Sequence, residues 1–161
     1  RIIQMNSKIY WWNPFMDDVK NKKSITRKIY NLNKLPILNS GGNVGSACWM
    51  IADSVINCKV IGMIGMDLSY YNSTKVQNTQ YYELLKKNFG RENIKFFYKK
   101  IYNPIYKKFF YTDYVYDWYR EILSEMILYS KNITVNCTEG GILFGKKIIN
   151  ISLKKFFKKY Y

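Results

Sequence analysis

The chain has 161 residues with a hydrophobic fraction of 48%, 18% aromatics and a formal charge of +15, which suits one folded domain and excludes a disordered chain. It contains no histidine, so Ser-His-Asp and Cys-His catalysis and histidine-bearing zinc sites are excluded. The positive charge is nearly all lysine in a chain also rich in Asn, Ile and Tyr; arginine, the better reader of bases and phosphates, occurs only at Arg1, Arg27, Arg91 and Arg120, so charge alone is weak evidence for a nucleic-acid partner. In chain order, Ile2 to Trp12 contains a short strand that Pro14 interrupts. Asp17 and Asp18 follow in a solvated turn, and Lys20 to Arg27 reads as a basic, polar connector. Leu35 to Leu38 is a short apolar run that leads into a glycine turn, Asn39-Ser-Gly-Gly-Asn-Val-Gly-Ser46.

Val44, Ala47, Cys48, Ile51, Ala52 and Val55 recur at helical spacing, which predicts a helix after that turn. Ser40 or Asn43 can cap it, and Gly41, Gly42 and Gly45 allow a close backbone approach. A phosphate at this turn would meet free amides and the positive end of the helix dipole. Gly-Gly-x-x-Gly matches neither the Walker pattern nor the dinucleotide fingerprint, so a tight packing turn without a ligand is the alternative. Val60, Ile61, Met63 and Ile64 then read as a strand covered on both faces, as in a parallel sheet. Asp67 emerges at its carboxyl end, where open α/β sheets place their ligands.

Tyr70 to Lys75 forms a polar aromatic loop; Tyr70, Tyr71, Tyr81 and Tyr82 can stack on a base or sugar ring, packing at a core edge being the commoner alternative. A helix is expected from Thr79 to about Asn88, closed by Gly90. Phe96 to Tyr111 alternates lysine with aromatics around Asn103-Pro104, a pattern also seen in single-strand nucleic-acid grooves. Thr112-Asp113 can cap a helix striped by Trp118, Tyr119, Ile122, Leu123, Met126 and Ile127. Ile133 to Asn136 reads as another strand, running into Cys137-Thr-Glu-Gly-Gly141. Two glycine loops on neighbouring strands would face one crevice, making Thr138 and Glu139 candidates for contacts to a transferred group; the alternative is a hairpin turn before Ile142-Leu143-Phe144. Residues 152–161 are expected to form a basic amphipathic closing helix, with Leu153, Phe156, Phe157, Tyr160 and Tyr161 on one face.

Three cysteines without a Cys-x-x-Cys pair suit a reducing cytoplasm. No apolar run reaches the ~20 residues of a membrane span, and no charged-then-apolar leader opens the sequence, so a cytoplasmic protein is expected.

Asn39-Ser-Gly-Gly-Asn-Val-Gly-Ser46, Ile61-Gly-Met-Ile-Gly-Met-Asp-Leu-Ser-Tyr70 and Asn136-Cys-Thr-Glu-Gly-Gly-Ile-Leu-Phe-Gly145, in this order, resemble the MptE-like family. That family joins 6-hydroxymethylpterin diphosphokinases to motility accessory proteins implicated in attaching nonulosonic sugars to flagellin. The resemblance spans Pro36 to Phe157, and Gly-Met-Asp-Leu-Ser-Tyr is closer to the glycosyltransferase branch. It implies an α/β three-layer Rossmann-like domain with a mostly parallel sheet. The family's early Gly-Pro-Ser turn has no counterpart before Trp11, so residues 1–161 read as the carboxyl-terminal part of a single family domain, incomplete at its amino terminus.

The function this implies is nucleotide-sugar-dependent transfer, with a nucleotide or nucleotide-sugar as ligand. Ser40, Gly41, Gly42, Asn43, Gly45 and Ser46 would hold the nucleotide phosphate, Asp67 its ribose or a metal, Thr138 and Glu139 the sugar or acceptor, and Tyr70, Gly140 and Gly141 the remaining contacts. Glu139 would act with Asp67 in catalysis, as a general base whose pKa a crevice can raise. The alternative is diphosphoryl transfer from ATP to a hydroxymethylpterin, which requires Mg2+ held by carboxylates among Asp67, Glu139, Asp17 and Asp18. A non-catalytic binding module with a vestigial site is a third possibility.

Overall fold

The computed structural model describes residues 8–161 and divides the chain into two compact units, the first ending at Ser40 and the second running from Gly41 to Tyr161. The strand expected over Ile2 to Trp12 lies partly outside the described residues; Lys8 to Trp12 form none, and Pro14, expected to interrupt it, is itself paired. Within the described residues, the first unit begins its pairing at β1 (Asn13–Pro14), which runs parallel to β2 (Ile37–Leu38). Asn13 and Asn33 fix this corner by exchanging side-chain amide bonds at 2.8 and 3.0 Å.

Between these strands lies α1 (Ile25–Asn33), whose first three residues take up the end of the polar connector expected over Lys20 to Arg27. Its start is specified by side chains rather than by an apolar stripe. The Arg27 amide donates to Ser24 Oγ, and Asp17 accepts from the Ser24 hydroxyl at 2.6 Å and from the amides of Ile25 and Thr26. These bonds, the Ser24 hydroxyl first, hold the Asp17 carboxyl well below its usual range. Asp17 is thus a helix-start acceptor, and Asp18 accepts from the Lys20 amide, as a solvated turn requires.

The second unit combines a parallel sheet with an antiparallel hairpin and helices. Strands β3 (Val60–Met63), β6 (Ile133–Asn136) and β7 (Ile148–Asn150) form the parallel sheet in the order β3-β6-β7. Val60 pairs with Ile133 and Thr134 with Ile148. Successive strand residues face opposite sides. On one side Trp49 donates its indole N–H to Thr134 at 3.0 Å; on the other, Val135 clusters with Phe156 of α5 (Leu153–Tyr160).

Helix α2 (Val44–Met50) continues into a wider π turn over Ile51–Val55. It buries Ser46, Ala47, Trp49 and Met50, whereas Val44, Cys48 and Val55, assigned to the packed face from spacing, are exposed. The Trp49 bond to Thr134 selects this face, and the π turn shifts the register that a strict 3.6-residue period assumes. At the other end of the unit, α5 buries Phe156 but leaves Phe157 and Tyr161 exposed.

The lysine–aromatic segment is an antiparallel hairpin, β4 (Tyr98–Asn103) and β5 (Lys108–Asp113), with Pro104 in its turn. It follows α3 (Tyr82–Phe89), which Gly90 closes as expected. Helix α4 (Tyr114–Tyr129) is capped by Asp113, whose carboxylate accepts from the Tyr116 amide at 2.9 Å. Leu123 and Ile127 of the predicted stripe are fully buried, along with Val135, Ile142 and Leu143. Ile142 and Leu143 therefore belong to a buried loop and not to a strand; the strand after β6 is β7, parallel to it.

Candidate functional site

Two loops leave the carboxyl ends of the neighbouring strands β3 and β6, and they interlock. The Met66 amide donates to Thr138 Oγ1 at 3.0 Å, and the Ile142 amide donates to the Asp67 carbonyl at 2.9 Å. Gly141 lies directly on the Asp67 backbone: with φ +75°, a Cβ there would sit 2.2 Å from the Asp67 carbonyl oxygen. Both the left-handed conformation and the close approach demand glycine.

The β4–β5 hairpin ties onto both loops. Asn103, fully buried, donates its side-chain amide to the Gly141 carbonyl at 2.9 Å, while its Oδ1 accepts from the amides of Ile105 and Tyr106. The Thr112 hydroxyl donates to the Leu68 carbonyl at 2.9 Å, and the Tyr70 amide to the Tyr111 carbonyl at 2.7 Å. A cavity of about 790 Å³ opens between the three segments. Its walls carry two carboxylates, Asp67 and Glu139; two cations, Lys107 and Lys108; and the rings of Tyr71, Tyr106, Phe109 and Phe110, with Thr138 and Gly140 between them.

Burial against these walls pushes the Asp67 carboxyl above its ordinary value of 3.8, although the residue stands at an open rim. Burial, followed by the charge of Glu139, pushes up the Tyr106 phenol and the Cys137 thiol, so both stay protonated at neutral pH. Thr138 Oγ1 accepts from Met66 N–H, which leaves its own O–H free to donate into the cavity. Glu139 adopts φ +62° and accepts from the Leu153 amide at 3.4 Å, at the start of α5.

The structure therefore brings Asp67, Thr138, Glu139 and Gly140 together, with Gly141 as the spacer behind them. Tyr70 points elsewhere: its hydroxyl donates to Asp113 at 2.7 Å and its ring stacks on Tyr116, 5.1 Å between centroids. Burial, then the bond to Asp113, pushes its pKa far up.

The glycine turn does not line this cavity. Asn43 accepts from the Ser46 amide at 3.0 Å and donates to the Ser46 hydroxyl at 2.8 Å, closing the first turn of α2 internally. The space a Cβ would need is filled at Gly41 by Ser46, at Gly42 by Tyr119 and at Gly45 by the Met66 sulfur. Gly45 instead edges a smaller apolar hollow of about 270 Å³ with Met63 and Met66. Ser40 is the last residue of the first unit.

The residues that sequence reasoning left out of the site, besides Asn72 and Ser73, are those of the hairpin turn, Tyr106 to Phe110. The turn's signal was the lysine–aromatic alternation itself. Among the described residues, no three His, Cys, Asp or Glu side chains are grouped as a metal site, and no helix is long and apolar enough to cross a membrane. Comparison with protein-family models, curated proteins and solved structures gives no match to this chain.

Proposed function

We infer that this chain is the nucleotide-binding part of a transferase that moves a sugar from a nucleotide donor to an acceptor hydroxyl. The observation carrying this reading is the cavity at the carboxyl ends of two adjacent parallel strands, holding a carboxyl whose pKa partial burial raises, a free hydroxyl donor and several ring faces. Open parallel sheets bind their ligands at that position. The helices against both sides of β6 fit a three-layer Rossmann-like arrangement, and the motifs at Ser40 to Ser46, Asp67 and Thr138 to Gly141 fit the MptE-like family, in its glycosyltransferase branch. A cytidine-linked nonulosonic acid is the donor that likeness favours, in a reducing compartment compatible with the free thiols of Cys48, Cys58 and Cys137.

In this reading Asp67 is the general base. Its raised pKa brings it nearer neutrality, which suits proton transfer better than an ordinary carboxylate does. The acceptor oxygen forms a bond to the anomeric carbon while the bond from that carbon to the phosphate oxygen breaks. The electron pair leaves with the nucleoside monophosphate, and the acceptor proton passes to Asp67. The Thr138 hydroxyl orients the sugar.

A thermal-shift panel tests this. Cytidine monophosphate should raise the melting temperature. A rise only with ATP, Mg2+ and 6-hydroxymethylpterin would replace sugar transfer by diphosphoryl transfer, with Asp67 and Glu139 as the carboxylates that share the cavity. No rise with any of them would remove both enzyme readings.

A further inference from the structure

We propose that the turn of the β4–β5 hairpin is the anion-holding wall of the cavity, with Lys107 and Lys108 taking the phosphate of the bound nucleotide. The nucleoside part of this proposal rests on the transferase reading; the anion wall does not. Three facts carry it.

The first is charge. Within the cavity the carboxylates of Asp67 and Glu139 come from the two sheet loops, whereas both cations come from the hairpin. A phosphate lies against the hairpin side by attraction and is kept from the other side by like charge. The ligand is thereby given a direction, phosphate toward Lys107–Lys108 and the transferred group toward Asp67 and Thr138.

The second is rigidity. Lys107 holds φ +52° in a turn whose Ile105 and Tyr106 amides both donate to buried Asn103, which is itself bonded to Gly141. The backbone of the hairpin turn that carries the lysines is thus tied through Asn103 to the loop that presents Thr138 and Glu139, so the turn's distance from the reacting end is set by hydrogen-bonded geometry rather than by a free loop. Such mounting lowers the ordering cost of binding.

The third is the glycine turn. Its first helical turn is closed by Asn43 on Ser46, and side chains fill the space beside its glycines. The rings of Tyr106, Phe109 and Phe110 stand next to the lysines, where a base can stack while its phosphate meets an ammonium group.

The test compares cytidine monophosphate, cytidine and inorganic pyrophosphate by calorimetric titration of the wild-type chain and the double variant Lys107→Asn/Lys108→Gln; Asn tolerates the left-handed conformation at 107. The wild type should bind cytidine monophosphate more tightly than cytidine. The double variant should weaken cytidine monophosphate and pyrophosphate about ten- to a hundredfold while cytidine is unchanged. Lysine-dependent binding of pyrophosphate, with neither nucleoside nor nucleotide bound, upholds the anion wall and removes the nucleotide reading. Unchanged binding of cytidine monophosphate by the folded double variant overturns the proposal, as does wild-type protein that binds no pyrophosphate. Loss of cytidine along with the other two also overturns it, because the lysines would then not be reading the phosphate.

Discussion

Replacing Gly141 by alanine tests the contact that builds the site, because the cost can be separated into parts. The residue has φ +75°, and the new Cβ would stand 2.2 Å from the Asp67 carbonyl oxygen and 2.5 Å from its Cα. The left-handed conformation costs about 1 kcal/mol, and forcing an atom into filled space adds about 1–3 kcal/mol. These neighbours are backbone atoms, so no side chain can rotate away. The sum, about 2–4 kcal/mol, is a large part of the ~5–15 kcal/mol that holds a typical domain and corresponds to a fall in melting temperature of about 10 °C.

Two nearby glycines supply controls. Gly65 has φ +73° with nothing within 4 Å of its Cβ position, so its alanine variant should lose only about 1 kcal/mol. At Gly140 the nearest atom to a Cβ is Asp67 Oδ1 at 3.5 Å, an ordinary contact, and the variant should stay within about 0.5 kcal/mol of wild type. Circular dichroism melts of the three variants give the order directly. A Gly141→Ala protein no less stable than Gly65→Ala would mean that the Asp67 and Gly141 backbones do not meet, and the site would lose its frame.

The remaining expectations concern the site's polar groups. Asp67→Asn should melt slightly above wild type at pH 7 yet lose transfer activity. Since burial raises the folded pKa above 3.8, the carboxyl's favourable contribution is present below that value and is lost as pH rises through the folded one. The gain should therefore shrink as pH falls toward 4 in a pH series of melts; a gain independent of pH would contradict the desolvation of Asp67. Glu139→Gln should retain most transfer activity in a product assay, because its carboxylate accepts from the Leu153 amide; a thousandfold loss would return the role of base to Glu139. Asn103→Ala should cost about 2–3 kcal/mol in a urea titration, since it strands the Gly141 carbonyl and two turn amides, and an unchanged midpoint would detach the hairpin from the site.

Much of the second unit was legible because its signals are local. The apolar run at Val60 to Met63, the Asp113 cap, the Leu123–Ile127 stripe and the Gly90 stop each reappear as structure. The meeting of two strand ends was legible as well, since Asp67 and Thr138 to Gly140 do line one cavity. What stayed hidden depended on distant partners. Helix α1 buries only Thr26 and owes its start to Asp17, so periodicity had nothing to detect. The buried face of α2 is chosen by Trp49 reaching Thr134, 85 residues away. The hairpin's alternation was obscured by lysines and rings on both of its faces, and the reason Asn103 matters lies in Gly141, across the fold.

The most direct test of the central claim is an amide-resolved NMR titration with cytidine monophosphate. The account predicts shifts clustered at Asp67, at Thr138 to Gly140 and at Tyr106 to Phe110, the three walls of one cavity. Shifts confined to Gly41 to Ser46 would contradict it, and so would a spectrum that the nucleotide leaves unchanged.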